Sequence, residues 1–240
     1  MLKTIGIIGG MGPAATVDLM DKIISMTEAS CDQDHIPMLV DLNTRITDRT
    51  AAILHGGESP LPEMLRSARR LEAGGADFLI MPCNTAHYFR PYIQKEIGIP
   101  LVSMLEESAK FLSKAGVDKV AVLGTDGVVQ SGIYGKALGD YDIEVIYPTA
   151  EQQRLVMSVI YDYIKKGITD PEALPYEEMK SLIESLEARG AQQLLLACTE
   201  LPLAFSIMGF NGENVADATG ILAAAAVREA GAEVKPGTRY

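Results

Sequence analysis

With 240 residues, nearly half of them apolar, no tryptophan and a net charge of −11, the chain is long enough for one broad α/β domain or two compact ones. The charge argues against a general nucleic-acid or anionic-membrane surface, because both would repel it, and no run approaches the roughly 20 apolar residues that span a bilayer. A small anionic substrate remains open to it, on the condition that arginine or lysine clusters locally.

The first segment, MLKTIGIIGG, has one lysine and a short β-branched run closed by glycines. It lacks the long apolar core of a signal peptide, so a buried strand over Thr4–Ile8 and a cytoplasmic protein are expected. A helix over Thr16–Thr27 follows, with Val17, Met20, Ile23 and Ile24 at helical spacing. Next come a strand at 38–43, a helix over Pro62–Ala73, a strand at 78–81 and the strand-like IPLVS. Further strands are expected at Val120–Leu123, Glu144–Tyr147 and Leu194–Ala197, with amphipathic helices at 150–166 and 176–189 and a last helix over Thr219–Ala230. Strands alternating with helices mean βαβ units and parallel sheets.

The second half echoes the first. LEAGGADFLIMPC (71–83) falls on LEARGAQQLLLAC (186–198) without a gap, and TIGIIGGMG (4–12) falls on KVAVLGTDG (119–127) at the same offset of 115 residues. Two β-turn-helix units resemble each other in any protein, but two distant blocks sharing one offset favour duplication. The expected fold is therefore α/β, two pseudo-symmetric flavodoxin-like domains with a cleft between them. The join is placed near Ser103–Met104, giving a first domain of 1–103 plus 210–240 and a second of 104–209.

The repeat carries its cysteines with it. Cys83 and Cys198 each follow an apolar strand directly, where ligands bind in open parallel sheets. A following helix would offer backbone N–H groups and its dipole, both of which lower a thiol's pKa. Across a pseudo-twofold axis the two sulfurs would approach one ligand from opposite sides, one removing a proton from a tetrahedral carbon and the other supplying one. The competing reading is that both are small buried hydrophobes. Cys31 has no repeat partner and is assigned no role, and there is no C-x-x-C pair to suggest structural zinc.

GIIGGMGP (6–13), DRT (48–50), MPCNTAH (81–87) and ACTE (197–200) resemble the aspartate/glutamate racemase family, especially its cofactor-independent aspartate racemases. The resemblance runs over essentially the whole chain. It implies Cys83 and Cys198 as the acid and base, with Asn84, Thr85 and Thr199 holding the substrate's α-carboxylate and amino group and Met11 lining the pocket. It also implies Arg49 and Lys165, with Lys166 one residue along, as partners of a side-chain carboxylate, no cofactor or metal, and a homodimer. Arginine grips a carboxylate with two parallel hydrogen bonds and lysine adds a point charge, which meets the condition set by the net charge.

Other residues are demoted. His87, four residues after Cys83, fits a capping or packing role better than a metal set of distant thiols and three histidines. Glu200 stands close enough to Cys198 to orient it or to receive an amine. The glycine loop lacks the G-x-G-x-x-G spacing of a dinucleotide site. Two rival functions stay open on sequence: a non-catalytic two-lobed binder of an anionic metabolite, and a cysteine-dependent decarboxylase or isomerase of small dicarboxylates.

Overall fold

The computed structural model describes residues 2–238 and Tyr240; Met1 and Arg239, within the expected first domain, lie outside the described residues. The first half begins with β1 (Ile5–Gly9), α1 (Pro13–Met26) and β2 (Met38–Leu42). It continues through α2 (Arg49–Leu54), α3 (Leu61–Ala73), β3 (Phe78–Ile80), α4 (Arg90–Gln94) and α5 (Met104–Lys114). The second half holds β4 (Lys119–Gly124), α6 (Asp126–Ser131), α7 (Ile133–Gly139), β5 (Glu144–Ile146) and α8 (Ala150–Ser158). It ends with α9 (Tyr176–Ala188), β6 (Gln193–Ala197), α10 (Leu201–Met208), β7 (Val215–Asp217) and α11 (Ala218–Glu229).

Both sheets are parallel, in the orders β2-β1-β3 and β5-β4-β6-β7. Each half thus sets its first strand between its second and third, as duplication requires. The glycine-ended strands β1 and β4 are central, and their apolar runs are buried on both faces: Ile5, Ile7 and Ile8, and likewise Val120 to Leu123. IPLVS contributes one parallel bridge, Leu79 to Leu101, beside β3, in the place that β7 takes beside β6.

The segment from Phe210, expected with the first domain, divides in the structure. Val215–Asp217 forms a fourth strand of the second sheet, paired through Leu195 and Ala216. Only the helix after it crosses over, where α11 packs on α1 and α5, while α5 packs on α7. Each half therefore sends its last helix against the other. Lys22 of α1 reaches Asp217 at 3.3 Å across this boundary. Residues from both sheets and both crossing helices, among them Ile7, Leu112, Val122 and Ala223, share one central core, with a separate apolar layer on the outer face of each half. That shared core sets the two halves face to face. It directs the carboxyl ends of their strands at a common cleft.

The helix expected at 150–166 is interrupted. After α8 the chain takes one π-helical turn, Val159–Tyr163, and a 3₁₀ turn, Ile164–Lys166, ending at Gly167 with φ +77°. A π turn rotates the following side chains off the α-helical register. Here it brings Tyr161 and Lys165 to the cleft. No helix among the described residues is long and apolar enough to cross a membrane.

Candidate active site

The glycine loop after β1 is shaped by close packing. Gly10 has φ +94°, and a Cβ there would lie 2.4 Å from the backbone of Asn43. Its N–H donates to Thr16 Oγ1 at 3.0 Å, turning the chain tightly into α1 and leaving Met11 at the cleft. Glycine is needed for the close approach of these two backbone segments.

Cys83 follows β3 in a turn braced by its own N–H on the Met81 carbonyl, 2.9 Å. The segment after it, Thr85–Phe89, is 3₁₀ rather than an α-helix, so the expected α-helical dipole is absent at this cysteine. His87 fixes the turn from below. Its Nε2 accepts from Met104 N (3.0 Å), so its proton resides on Nδ1, which donates to the Cys83 carbonyl (2.9 Å). Complete burial lowers the imidazole pKa to about 4, keeping it neutral. The capping and packing role expected of His87 is what the contacts show: it ties the Cys83 turn to the start of α5.

Cys198 follows β6 directly, and α10 begins three residues later. Its thiol donates to Glu200 Oε2 at 3.0 Å, the same oxygen that receives the Thr199 hydroxyl at 3.0 Å. The other oxygen, Oε1, lies 3.1 Å from Lys165 Nζ. Burial first, then the Glu200 carboxylate as charge and as hydrogen-bond acceptor, push the Cys198 pKa well above that of a free thiol. This reverses the sequence expectation of a lowered value. Burial, with a carboxylate two residues on, sets the direction. Burial works to raise the Glu200 carboxyl in turn, but Lys165 and the donated hydrogen bonds carry it below its usual range.

Arg49 opens α2, capped by Asp48, whose side chain accepts from Ala51 N at 2.6 Å. The guanidinium donates to the Thr47 carbonyl (3.0 Å) and, across the glycine loop, to the Met11 carbonyl (3.3 Å). Burial acts to lower its pKa, yet the nearby Cys83 holds it above the usual value. The buried Nε has no partner. Lys165 enters from the opposite half, its ammonium 5.1 Å from the centre of the Tyr161 ring. Two contacts stitch the cleft: Thr85 Oγ1 to Thr125 Oγ1 at 2.8 Å, and the Tyr134 hydroxyl to Asn84 Oδ1 at 2.5 Å.

All eight residues singled out in the sequence line one cavity: Met11, Arg49, Cys83, Asn84 and Thr85 from the first half, Lys165, Cys198 and Thr199 from the second. Both thiols are buried there, 7% exposed each, which places them against the cavity wall and away from bulk water. A wider depression along the start of α1 shares Lys165, Thr199 and Glu200 with it and opens to solvent. Sequence reasoning did not find Thr125, Tyr161 or Thr50, which also line the cavity. Thr125 had a signal, since it falls on Gly10 at the 115-residue offset; Tyr161 had none, because only the π turn brings it there.

Two α/β halves that each turn a strand-end thiol into one shared cleft define a two-lobed architecture, and the comparisons give it a family. The Asp/Glu/Hydantoin racemase family matches residues 8–226, and the chain belongs to it. It is 30% identical over 203 residues to the broad specificity amino-acid racemase RacX of Bacillus subtilis, covering 82% of this chain and 85% of that protein. It superposes on Picrophilus torridus aspartate racemase with a TM-score of 0.84 at 36% identity, covering 97% of this chain and 96% of the other. An aspartate racemase homologue from Pyrococcus horikoshii matches with a TM-score of 0.78 at 26% identity, over 96% and 100% of the two chains.

The depressed His87 pKa has a consequence for stability. As pH falls below 6.5 the unfolded chain takes up a proton that folded His87 refuses until about pH 4. Stability is thus complete above pH 6.5 and declines through that window, by about 3 kcal/mol. In His87→Gln, which cannot titrate, urea unfolding from pH 7 to 4 is expected to show a shallower loss by that amount. Parallel curves for the two proteins would remove the assigned role.

Proposed function

We propose that the protein racemises an acidic amino acid, aspartate before glutamate, at Cα without pyridoxal phosphate, using Cys83 and Cys198 as a pair of proton carriers. The observation that carries this reading is that both thiols, one from each half, line a single cavity that also receives Arg49 and Lys165. In a chain of net charge −11, two cations held at one small cavity are a placed recognition site. Arg49 and Lys165 take the side-chain carboxylate.

The surroundings distinguish the two thiols. Glu200 accepts the Cys198 proton and holds it in place, while the Arg49 guanidinium stands beside Cys83. In one direction of the reaction Cys83 acts as the base and Cys198, held by Glu200, as the acid. Cys83 Sγ takes the Cα proton of one enantiomer, and the electron pair left on Cα is drawn toward the α-carboxylate. Cys198 then delivers its proton to the opposite face. The product leaves with inverted Cα, Cys83 is protonated and Cys198 is a thiolate; the opposite enantiomer runs the same steps backwards. The developing charge is met by donors aimed at the carboxylate, the Asn84 amide and the hydroxyls of Thr85 and Thr199. Glu200 and Lys165 stabilise the two protonation states of Cys198 in turn.

Purified protein free of pyridoxal phosphate is expected to convert L-aspartate to an equal mixture of enantiomers, followed by chiral chromatography. Cys83→Ala and Cys198→Ala should each cut the rate by about 10²–10⁴-fold, because each face then lacks its proton carrier. Wild-type protein that racemises neither aspartate nor glutamate, or either variant turning over normally, overturns the proposal.

Arg49→Ala is expected to lower kcat/KM for aspartate by about 10–100-fold through the loss of a charge-assisted contact, with little change for alanine. An unaltered preference for aspartate over alanine would strip Arg49 of its role.

A further inference from the structure

We infer that Tyr134 is a positioning residue for the reaction: its hydroxyl, reaching across from the second half, fixes which end of the Asn84 side-chain amide faces the substrate. This rests on the racemase reading of the cavity and adds to it a residue that touches no substrate.

An asparagine amide presents an acceptor and a donor of nearly equal shape, and its surroundings choose between them. Asn84 is 2% exposed, and it sits one residue after Cys83 in the wall of the cavity. Its Oδ1 is occupied by the Tyr134 hydroxyl at 2.5 Å, whereas its Nδ2 is buried with no partner. Two unpaired N–H bonds in a cavity lined by Arg49 and Lys165 form a donor surface for a carboxylate. Rotated by half a turn, the same side chain would set a carbonyl oxygen there and repel an anion.

Tyr134 is well suited to hold that choice. It lies at the start of α7 behind Gly132, whose φ of +65° turns the chain into the helix, and it is fully buried in the core shared by both halves. Burial raises its phenol pKa far above the usual value, so the hydroxyl remains a donor throughout the working pH range. Ser108, beside the phenol, gives its own proton to the Met104 carbonyl at 2.8 Å, leaving Tyr134 to donate to Asn84. Since α5 carries Met104 and Ser108 and His87 joins α5 to the Cys83 turn, the two polar contacts hold the Cys83 carbonyl and the Asn84 side chain.

Tyr134→Phe removes one oxygen and keeps the ring that fills the core. Calorimetric titration with L-aspartate is expected to show about a tenfold loss of affinity in this variant, and less than about a twofold further loss when the change is made in Asn84→Ala. An equal loss in both backgrounds marks a merely structural tyrosine and overturns the inference. A second readout needs no substrate. The Asn84 side-chain NH₂ signals, assigned by their disappearance in Asn84→Ala, should shift and broaden in Tyr134→Phe as the amide gains freedom to rotate. Unchanged signals also overturn the inference. Wild-type protein that binds no aspartate would instead defeat the functional reading, and the amide signals would still decide the role of Tyr134.

Discussion

The proposed reaction needs two carriers on opposite sides of one tetrahedral carbon, and in this molecule the packing of one half on the other brings two strand-end thiols to one cavity. Neither sheet contains a site alone: Cys83 follows β3 and Cys198 follows β6, and the crossing of α5 and α11 turns the two strand ends inward. The crossing is reinforced where the halves touch at the cleft. A Cβ on Gly127 would lie 2.6 Å from the Thr85 side chain and 2.8 Å from the Thr50 hydroxyl, so α6 meets the Cys83 turn at a distance that only glycine permits. Thr85 to Thr125 and Tyr134 to Asn84 then fix the lateral register. A packed interior resists small displacements, which is what a reaction depending on the position of two sulfurs requires.

The electrostatics follow from the same closure. Burial raises the cost of every charge in the cleft, and the structure offsets it by alternation: Lys165 beside Glu200, Glu200 beside the Cys198 thiol, Arg49 beside Cys83. The proposed division of labour between the two cysteines needs no difference between the two strand ends themselves. It arises because the residue two places after the first cysteine is Thr85, which turns away to Thr125, whereas its counterpart after the second is Glu200, which turns back to the sulfur. Duplication supplied two similar turns, and one side chain made them unequal.

Much of this was legible in the sequence, for identifiable reasons. Parallel strands buried on both faces read as apolar β-branched runs, and an ungapped repeat conveys pseudo-symmetry without any structural knowledge. All eight residues proposed from motif and repeat line one cavity. The remainder depended on long-range placement. The short VAD of β7 carries no alternation, and its pairing with β6 is made by tertiary contact. The crossing of α11 left a mark, an apolar run from Ile221 to Val227 that is buried all round, whereas α5 is an ordinary amphipathic helix. Tyr161 required a π turn that helical periodicity conceals. The pKa of Cys198 was expected on the wrong side because the helix dipole is inferable from sequence, while the depth of its burial and the rotamer that brings Glu200 within 3.0 Å of the sulfur are not. Tyr134 is 50 residues from Asn84, and nothing in either segment announces the other.

The central claim, that two separate groups serve the two faces of one carbon, is tested most directly by the fate of solvent hydrogen. L-Aspartate is incubated with the protein in deuterium oxide, the reaction is stopped early in conversion, and Cα of each enantiomer is analysed separately. Two carriers predict deuterium in the D-aspartate formed, delivered by the solvent-exchanged acid, and protium retained in the L-aspartate that remains. Equal deuterium in both enantiomers, or protium carried over into the D-aspartate, would mean that a single group reaches both faces, and the account would fail.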